Sequence, residues 1–236
     1  RPEVVFHLCL VEKGIYQVER KPGDNYGFIA FKEFREDPEA NPLPNSASGK
    51  MEIYCQELAD TINNMGYSKI KPIPTHIPPV EGYEATYSDW ENKVKGEYPY
   101  QVFNPHYLRR SHTVFDNVQW LRETWPNPVF ISAKDAEEKG IKDGDTVLLT
   151  SRHGRTLRTA CVTERYMPGV IGLPHGSWVD IDEKTGIDTG GADNILCGPI
   201  STGQGVSGWN SCIVDIEKYD GPALIPDVEK PQRIIF

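Results

Sequence analysis

No stretch of this chain approaches the run of roughly eighteen apolar residues that a membrane-spanning helix requires, so no such helix is expected in it. Positive charge is not in surplus either. Asp and Glu number 34 against 25 Lys and Arg, a net charge of −9, which argues against a general nucleic-acid or anionic-membrane surface. The five cysteines, at positions 9, 55, 161, 197 and 212, form no C-x-x-C pair and no Cys/His cluster with zinc or iron–sulfur spacing. Their odd number counts against a disulfide framework, and they read as scattered core or half-buried thiols. There is no initiator Met, no signal-peptide pattern and no internal repeat. A processed product or a piece of a longer polypeptide is expected.

Two regimes of composition divide what is present. Residues 1–97 are irregular, with "KPGDNYGF", "EDPEANPLPNSASGK" and "KIKPIPTHIPPVEGYEATYSDW" dense in Pro, Gly, Asn and Ser. Such stretches predict turns and extended connections with short strands such as "KMEIY" between them, a connecting segment and not an independent domain. From residue 98 the pattern tightens. "SAKDAEEKGI" predicts a short helix: Ser132 caps it, Asp135 completes an S-x-x-D capping box, and Gly140 stops it. Residues 145–163 predict a hairpin through the "RHGR" turn. "PGVIGLPHG" and "SCIVDIEKY" predict two further strands, the latter with Ile213, Asp215 and Glu217 facing away from Val214 and Ile216. Short strands with few short helices indicate a β-dominated barrel.

Gly203, Gly205 and Gly208 spell G-x-G-x-x-G, the fingerprint of a Rossmann dinucleotide site. That site needs a strand before the glycines, a helix opening within them, and an acidic residue about twenty positions on. Here the motif runs into a strand and the chain is nearly over, so the Rossmann reading fails. The glycines nonetheless belong to a long Gly/Ser/Thr/Asn-rich stretch, 189–210, whose backbone N–H groups suit close approach to a phosphate. Two other stretches carry related chemistry. "FNPHYLRRSHTVFDN" (103–117) gathers two His, two Arg, Ser, Thr and Asn after a strand, a set suited to a polyanion. "GLPHGSWVDID" (172–182) ends a strand with His175, Gly176, Trp178 and Asp180. H-G-S-W is not G-x-S-x-G and no elbow helix follows, so a Ser177 hydrolase is not expected. One of Asp180, Asp182 and Asp193 would suit the N–H edge of a guanine or pterin.

These stretches occur together and in order in the C-terminal part of molybdopterin oxidoreductases, which the chain resembles over nearly its whole length. "YPYQVFNPHYLRRSHTVFDN", "PNPVFISAKDAEEKGIKDGDTVLLTSRHGR", "MPGVIGLPHGSW", "GGADNILC" and "GWNSCIVDIEK" carry the likeness, and "FREDPEANPLPNSASGKMEIYCQELA" extends it upstream. The most specific parts are H-x-x-x-R-x-H-[ST] at 106–113 and A-x-x-x-G-I-x-x-G-D-x-V at 136–147. The nearest likeness is to catalytic subunits of anaerobic dimethyl sulfoxide reductases.

The resemblance implies a mainly β fold: a six-stranded double-psi β-barrel with short helices over 98–236, preceded by an irregular extended segment, 1–97, that connects from a catalytic domain. It implies a bis(molybdopterin guanine dinucleotide) cofactor with molybdenum. His106, Arg110, His112, Thr113 and Asn117 would lie along one part of it, His175, Gly176 and Trp178 would form another wall, and Asn194, Gly208 and Asn210 would meet the other pterin. It further implies that Arg110→Ala lowers cofactor retention with expression near normal.

The iron–sulfur cysteine motif and the metal ligand of such enzymes match nothing here and would precede Arg1, so no catalytic residue or metal ligand is assigned. By the same likeness the partners are the preceding domains, an iron–sulfur electron-transfer subunit, a membrane anchor subunit and a small S- or N-oxide substrate, but no nucleic acid. The location is periplasmic or membrane-associated. Alternatives are the same domain in a polysulfide, thiosulfate, selenate or nitrate reductase or a formate dehydrogenase, or a free-standing β-barrel binding module.

Overall fold

The computed structural model describes residues 29–66, 69–199 and 211–233. The chain divides into two compact units, Arg1–Tyr54 and Cys55–Phe236. In the first, helix α1 (Lys32–Glu36) is followed by turns, because Asp37 accepts the N–H groups of Glu39 and Ala40 at 3.2 and 3.0 Å and so ends the helix in an Asx-type turn. The "KMEIY" stretch, expected as a strand, is irregular. Met51 and Ile53 are 70% and 71% exposed, so its alternation buries no face on which a ladder would be stabilised.

The second unit opens with helix α2 (Gln56–Asn64), which buries Ala59 and Ile62. Asn63 closes the next turn by bonding both the N–H and the C=O of Ile70. A 3₁₀ turn (Tyr83–Thr86) then leads to a small antiparallel pair, β1 (Tyr87–Asp89) and β2 (Val94–Lys95).

Six strands close into a barrel: β3 (Tyr100–Phe103), β4 (Pro128–Ser132), β5 (Thr146–Thr150), β6 (Arg155–Thr163), β7 (Val170–Gly172) and β8 (Ile213–Lys218), in the order β3-β7-β4-β6-β5-β8. β3 runs parallel to β7 and β4 parallel to β6, while the other four pairings are antiparallel. This is the expected mainly β, six-stranded double-psi barrel. Its interior follows the period of two: Val129 and Ile131 on β4, Val147 and Leu149 on β5, Ile171 on β7, and Val214 and Ile216 on β8 are all fully buried. Each such side chain contributes about 1.5–3 kcal/mol by leaving water. Phe130, between two inward residues, faces out and stacks on Tyr166 at 5.5 Å. Ile213 departs from the expected alternation, since it is 2% exposed and the start of β8 is covered on both faces.

Two helices decorate the barrel, α3 (Gln119–Thr124) and α4 (Ala133–Lys139). α4 begins and ends where its sequence predicts. The Asp135 N–H donates to Ser132 Oγ at 3.1 Å, and Gly140 takes the left-handed conformation, φ 65°. The Asp135 carboxylate accepts from the Ser132 hydroxyl at 2.8 Å and from the Gly169 N–H at 2.8 Å, so the cap also fastens the turn before β7. The "RHGR" turn joins β5 to β6 as an antiparallel hairpin, with Ser151 Oγ accepting the N–H groups of His153 and Gly154.

Candidate cofactor site

Parallel pairing brings the site together. β3 and β7 are neighbours in register, Phe103 beside Gly172, so the loops leaving their C-terminal ends emerge at the same end of the barrel. The loop after β3 carries His106 and His112, and the loop after β7 carries His175. Their rings pack edge to face, with centroids 4.6 Å (His106–His175), 5.0 Å (His112–His175) and 5.5 Å (His106–His112) apart. A third element, the 3₁₀ turn Asp193–Leu196, completes the wall. Asp193 accepts the Gly176 N–H at 3.0 Å and the Asn104 side-chain amide at 3.3 Å, tying all three segments together.

Gly176 is required here. Its φ is 93°, and a Cβ would sit 1.7 Å from the carbonyl oxygen of His112, so no other residue lets the two loops cross. His112 also lies at positive φ, 54°, an uncommon conformation for a residue with a side chain and one that marks a held geometry.

The result is a cavity of about 690 Å³ lined by His106, His112, Thr113, His175, Gly176 and Asn194, with Asn104 and Asp193 beside them. Two polar atoms of this wall, His175 Nε2 and Asn104 Oδ1, are buried and have no hydrogen-bond partner. Buried polar atoms are normally paired, so an imidazole nitrogen and an amide oxygen without partners on one cavity wall point to a ligand that supplies them. Burial lowers the His175 pKa, and His106, His112 and Arg110 push the same way against Asp193. The imidazole is therefore held neutral, one ring nitrogen donating and the other accepting. Among the described residues no group of His, Cys, Asp or Glu is arranged to hold a metal ion.

Arg110 is placed differently from the imidazoles. Its side chain is fully buried behind the His175 loop. Nε donates to the His175 carbonyl at 2.9 Å, Nη1 pairs with Asp116 at 2.6 Å, and Nη2 donates to Asn127 Oδ1. Burial lowers its pKa, opposed by Asp116. Arg158, wholly buried, meets the carbonyls of Pro128, Pro174 and Gly191 and the Ser177 hydroxyl, and Arg109 pairs with Asp116 and Asp227. Ser177 itself accepts from Asn127 and Arg158 and touches no imidazole base. With Asp116 buried beneath it, removing Arg110 acts first on folding.

Asn117 and Trp178 lie outside the histidine cavity. Asn117 is engaged with the C-terminal segment: its amide donates to the Arg233 carbonyl at 2.7 Å and accepts the Arg233 N–H at 2.9 Å. Trp178 donates from Nε1 to the Thr113 carbonyl at 2.9 Å and lines a second cavity of about 880 Å³ with Asp180, Asp182 and Arg233. Gly208 and Asn210 lie outside the described residues. Asn104 was the residue the sequence left unmarked, although it stands two positions before His106 in the same polar run.

The barrel and this cavity define a cofactor-binding domain, and comparison with known proteins says which. Residues 100–212 match the family described as the molydopterin dinucleotide binding domain, and this part of the chain belongs to that family. It is 34% identical over 225 residues to the probable dimethyl sulfoxide reductase chain YnfF of Escherichia coli K12, covering 92% of this chain and 26% of that one. It is 38% identical over 188 residues to dimethyl sulfoxide reductase DmsA of the same organism, covering 78% and 22%. With a trimethylamine-N-oxide reductase of Haemophilus influenzae it shares 34% over 221 residues, 88% and 25% of the two chains. Among solved structures, acetylene hydratase from Pelobacter acetylenicus shares the fold, with a TM-score of 0.51 and 21% identity over 73% of this chain and 24% of that one. The chain thus spans about a quarter of the length of the curated relatives it matches.

Proposed function

We propose that this chain is the cofactor-holding C-terminal part of a molybdenum oxidoreductase that reduces dimethyl sulfoxide or a related S- or N-oxide. Residues 1–97 connect from a preceding catalytic domain, and 98–236 close over a bis(molybdopterin guanine dinucleotide). The observation that carries this reading is the cavity at the joined ends of β3 and β7, with its unpartnered His175 Nε2 and Asn104 Oδ1. A pterin ring system presents ring N–H donors and ring acceptors along its edges, and this wall offers one neutral imidazole nitrogen and one amide oxygen to meet them. Thr113 and Asn194 supply further uncharged donors on the same wall.

When bound, the cofactor supplies the two-electron redox centre at which an oxide's oxygen is removed. The share of this chain is to bind, orient and exclude water. His106, His112 and His175 hold one another's rings in place. Asp193 fixes the backbone of Gly176, and Arg110 fixes the carbonyl of His175. None of these groups is assigned a proton-transfer step, and the chain by itself is expected to be inactive. In the whole enzyme the partners are an iron–sulfur electron-transfer subunit and a membrane anchor, with an iron–sulfur cluster in the preceding part of the polypeptide and a periplasmic or membrane-associated location. Support for these comes from the likeness to dimethyl sulfoxide and trimethylamine-N-oxide reductases alone.

The test is capture of the native polypeptide from its source cells with antibody raised against this chain. Molybdenum, released nucleotide after acid hydrolysis, and S-oxide reduction driven by a reduced viologen dye would then be measured. Molybdenum with guanosine monophosphate and sulfoxide-dependent dye oxidation is the expected result. A captured polypeptide without molybdenum or pterin would overturn the reading, and cytidine monophosphate would overturn its guanine form.

A further inference from the structure

The cysteines read as scattered thiols from their spacing, yet the fold brings two of them to one turn. Cys212 precedes β8 and is anchored to the barrel by its carbonyl, which accepts the Val102 N–H at 2.9 Å. Its sulfur lies 3.4 Å from the carbonyl oxygen of Leu196, the residue before Cys197. Cys197 follows the same 3₁₀ turn, its sulfur 3.7 Å from the carbonyl oxygen of Asp193, and it packs against the core cluster that contains Cys212. Their surroundings differ in a way that matters for reactivity. Cys212 is 1% exposed, whereas Cys197 is only partly buried and lines the histidine cavity.

We propose that Cys197 and Cys212 form a thiol–disulfide exchange site that takes a low-molecular-mass disulfide, Cys197 being the attacking and Cys212 the resolving cysteine. The Cys197 thiolate attacks one sulfur of the incoming disulfide, forming a mixed disulfide and expelling one thiolate. The Cys212 sulfur then displaces the second thiolate from Cys197, and the two thiolates take up the two protein thiol protons. The protein dithiol loses two electrons and two protons, and the small disulfide becomes two thiols.

The hydrogen bond with Cys212 lowers the Cys197 pKa, against burial and the charges of Asp193 and Glu81. The same contact, followed by burial, raises that of Cys212. A partly exposed thiol whose pKa is lowered, beside a buried partner, is the arrangement of a reactive cysteine with its resolving thiol. The product bond would fasten the turn Asp193–Leu196 to the barrel strand. That turn carries Asp193, which orders Gly176 and Asn104, so the oxidation state of the pair bears on the geometry of the cavity wall.

The exchange needs no bound cofactor, so its outcome is separate from that of the proposed function. The full chain, reduced and then exposed to oxidised glutathione, is digested without reductant and its cysteine peptides mapped by mass. A single Cys197–Cys212 cross-link, with Cys9, Cys55 and Cys161 unlinked, is expected. In Cys212→Ala, Cys197 should instead retain glutathione, whereas in Cys197→Ala, Cys212 should remain a free thiol. The wild-type map decides the matter even where a variant fails to fold. Wild-type Cys197 and Cys212 that stay free, that pair with other cysteines, or that stop at glutathionylated Cys197 without a cross-link would overturn the proposal.

Discussion

The histidines and the arginines of the loop after β3 stand within a few residues of one another, yet they answer to different demands. Arg109 and Arg110 turn inward with Arg158, and the bonds they make go to carboxylates, carbonyls and one amide of the protein itself. His106, His112 and His175 turn to the open cavity, where His175 Nε2 is left without a partner, whereas the unpartnered Nε of Arg109 is buried within the protein. A buried charge has to be paired where it sits, whereas a neutral imidazole can leave a valence for a ligand at smaller cost. The arginines therefore build the loop, and the histidines use it.

Substitutions on the arginine side should break the fold, the largest effect expected in the molecule. Arg158→Ala strips five acceptors, the carbonyls of Pro128, Pro174 and Gly191, the Ser177 hydroxyl and the Asn127 amide oxygen, and leaves a cavity. It should cost about 4 kcal/mol or more, read by urea unfolding. Arg110→Ala leaves Asp116 with Arg109 as its remaining close cation and should cost about 3 kcal/mol in the same assay. Gly176→Ala forces either the His112 carbonyl or the left-handed backbone to give way, at a cost of about 2 kcal/mol with the loops displaced. Ser132→Ala, far from the cavity, removes a helix cap for about 1 kcal/mol and is a useful control.

The histidine side should respond to pH and little to truncation. Folding lowers the His175 pKa from its ordinary value of 6.5, so the unfolded chain binds the proton more readily than the folded one. The stability this neutral ring contributes is present above 6.5 and is lost as the pH falls through the unfolded and then the folded value. Unfolding midpoints measured between pH 7 and pH 5 should therefore fall less steeply in His175→Gln than in the wild-type chain.

Much of the barrel was legible because its signals are local. The Ser132 cap, the Gly140 stop and the "RHGR" hairpin each lie within a few residues and appear where the sequence places them. The strand order was not, since the parallel pairing of β3 with β7 joins segments some seventy positions apart. The His106, His112, Thr113, His175, Gly176 and Asn194 set was legible as chemistry, and the pairing explains why it meets in one cavity. Whether Arg110 faces a ligand or a carbonyl depends on which way a long side chain turns, and residue type says nothing of that. The meeting of Cys197 and Cys212 depends likewise on the chain doubling back to the barrel, so their spacing concealed it.

The central claim, that the spare valences of the histidine wall hold the cofactor, is tested most directly by the pterin content of the captured native polypeptide. His106→Ala/His175→Ala would be compared with Ser132→Ala, each normalised to folded polypeptide. At least about tenfold less pterin in the histidine variant, with the Ser132 variant near wild type, is the result predicted. Equal pterin in the two variants would contradict the account.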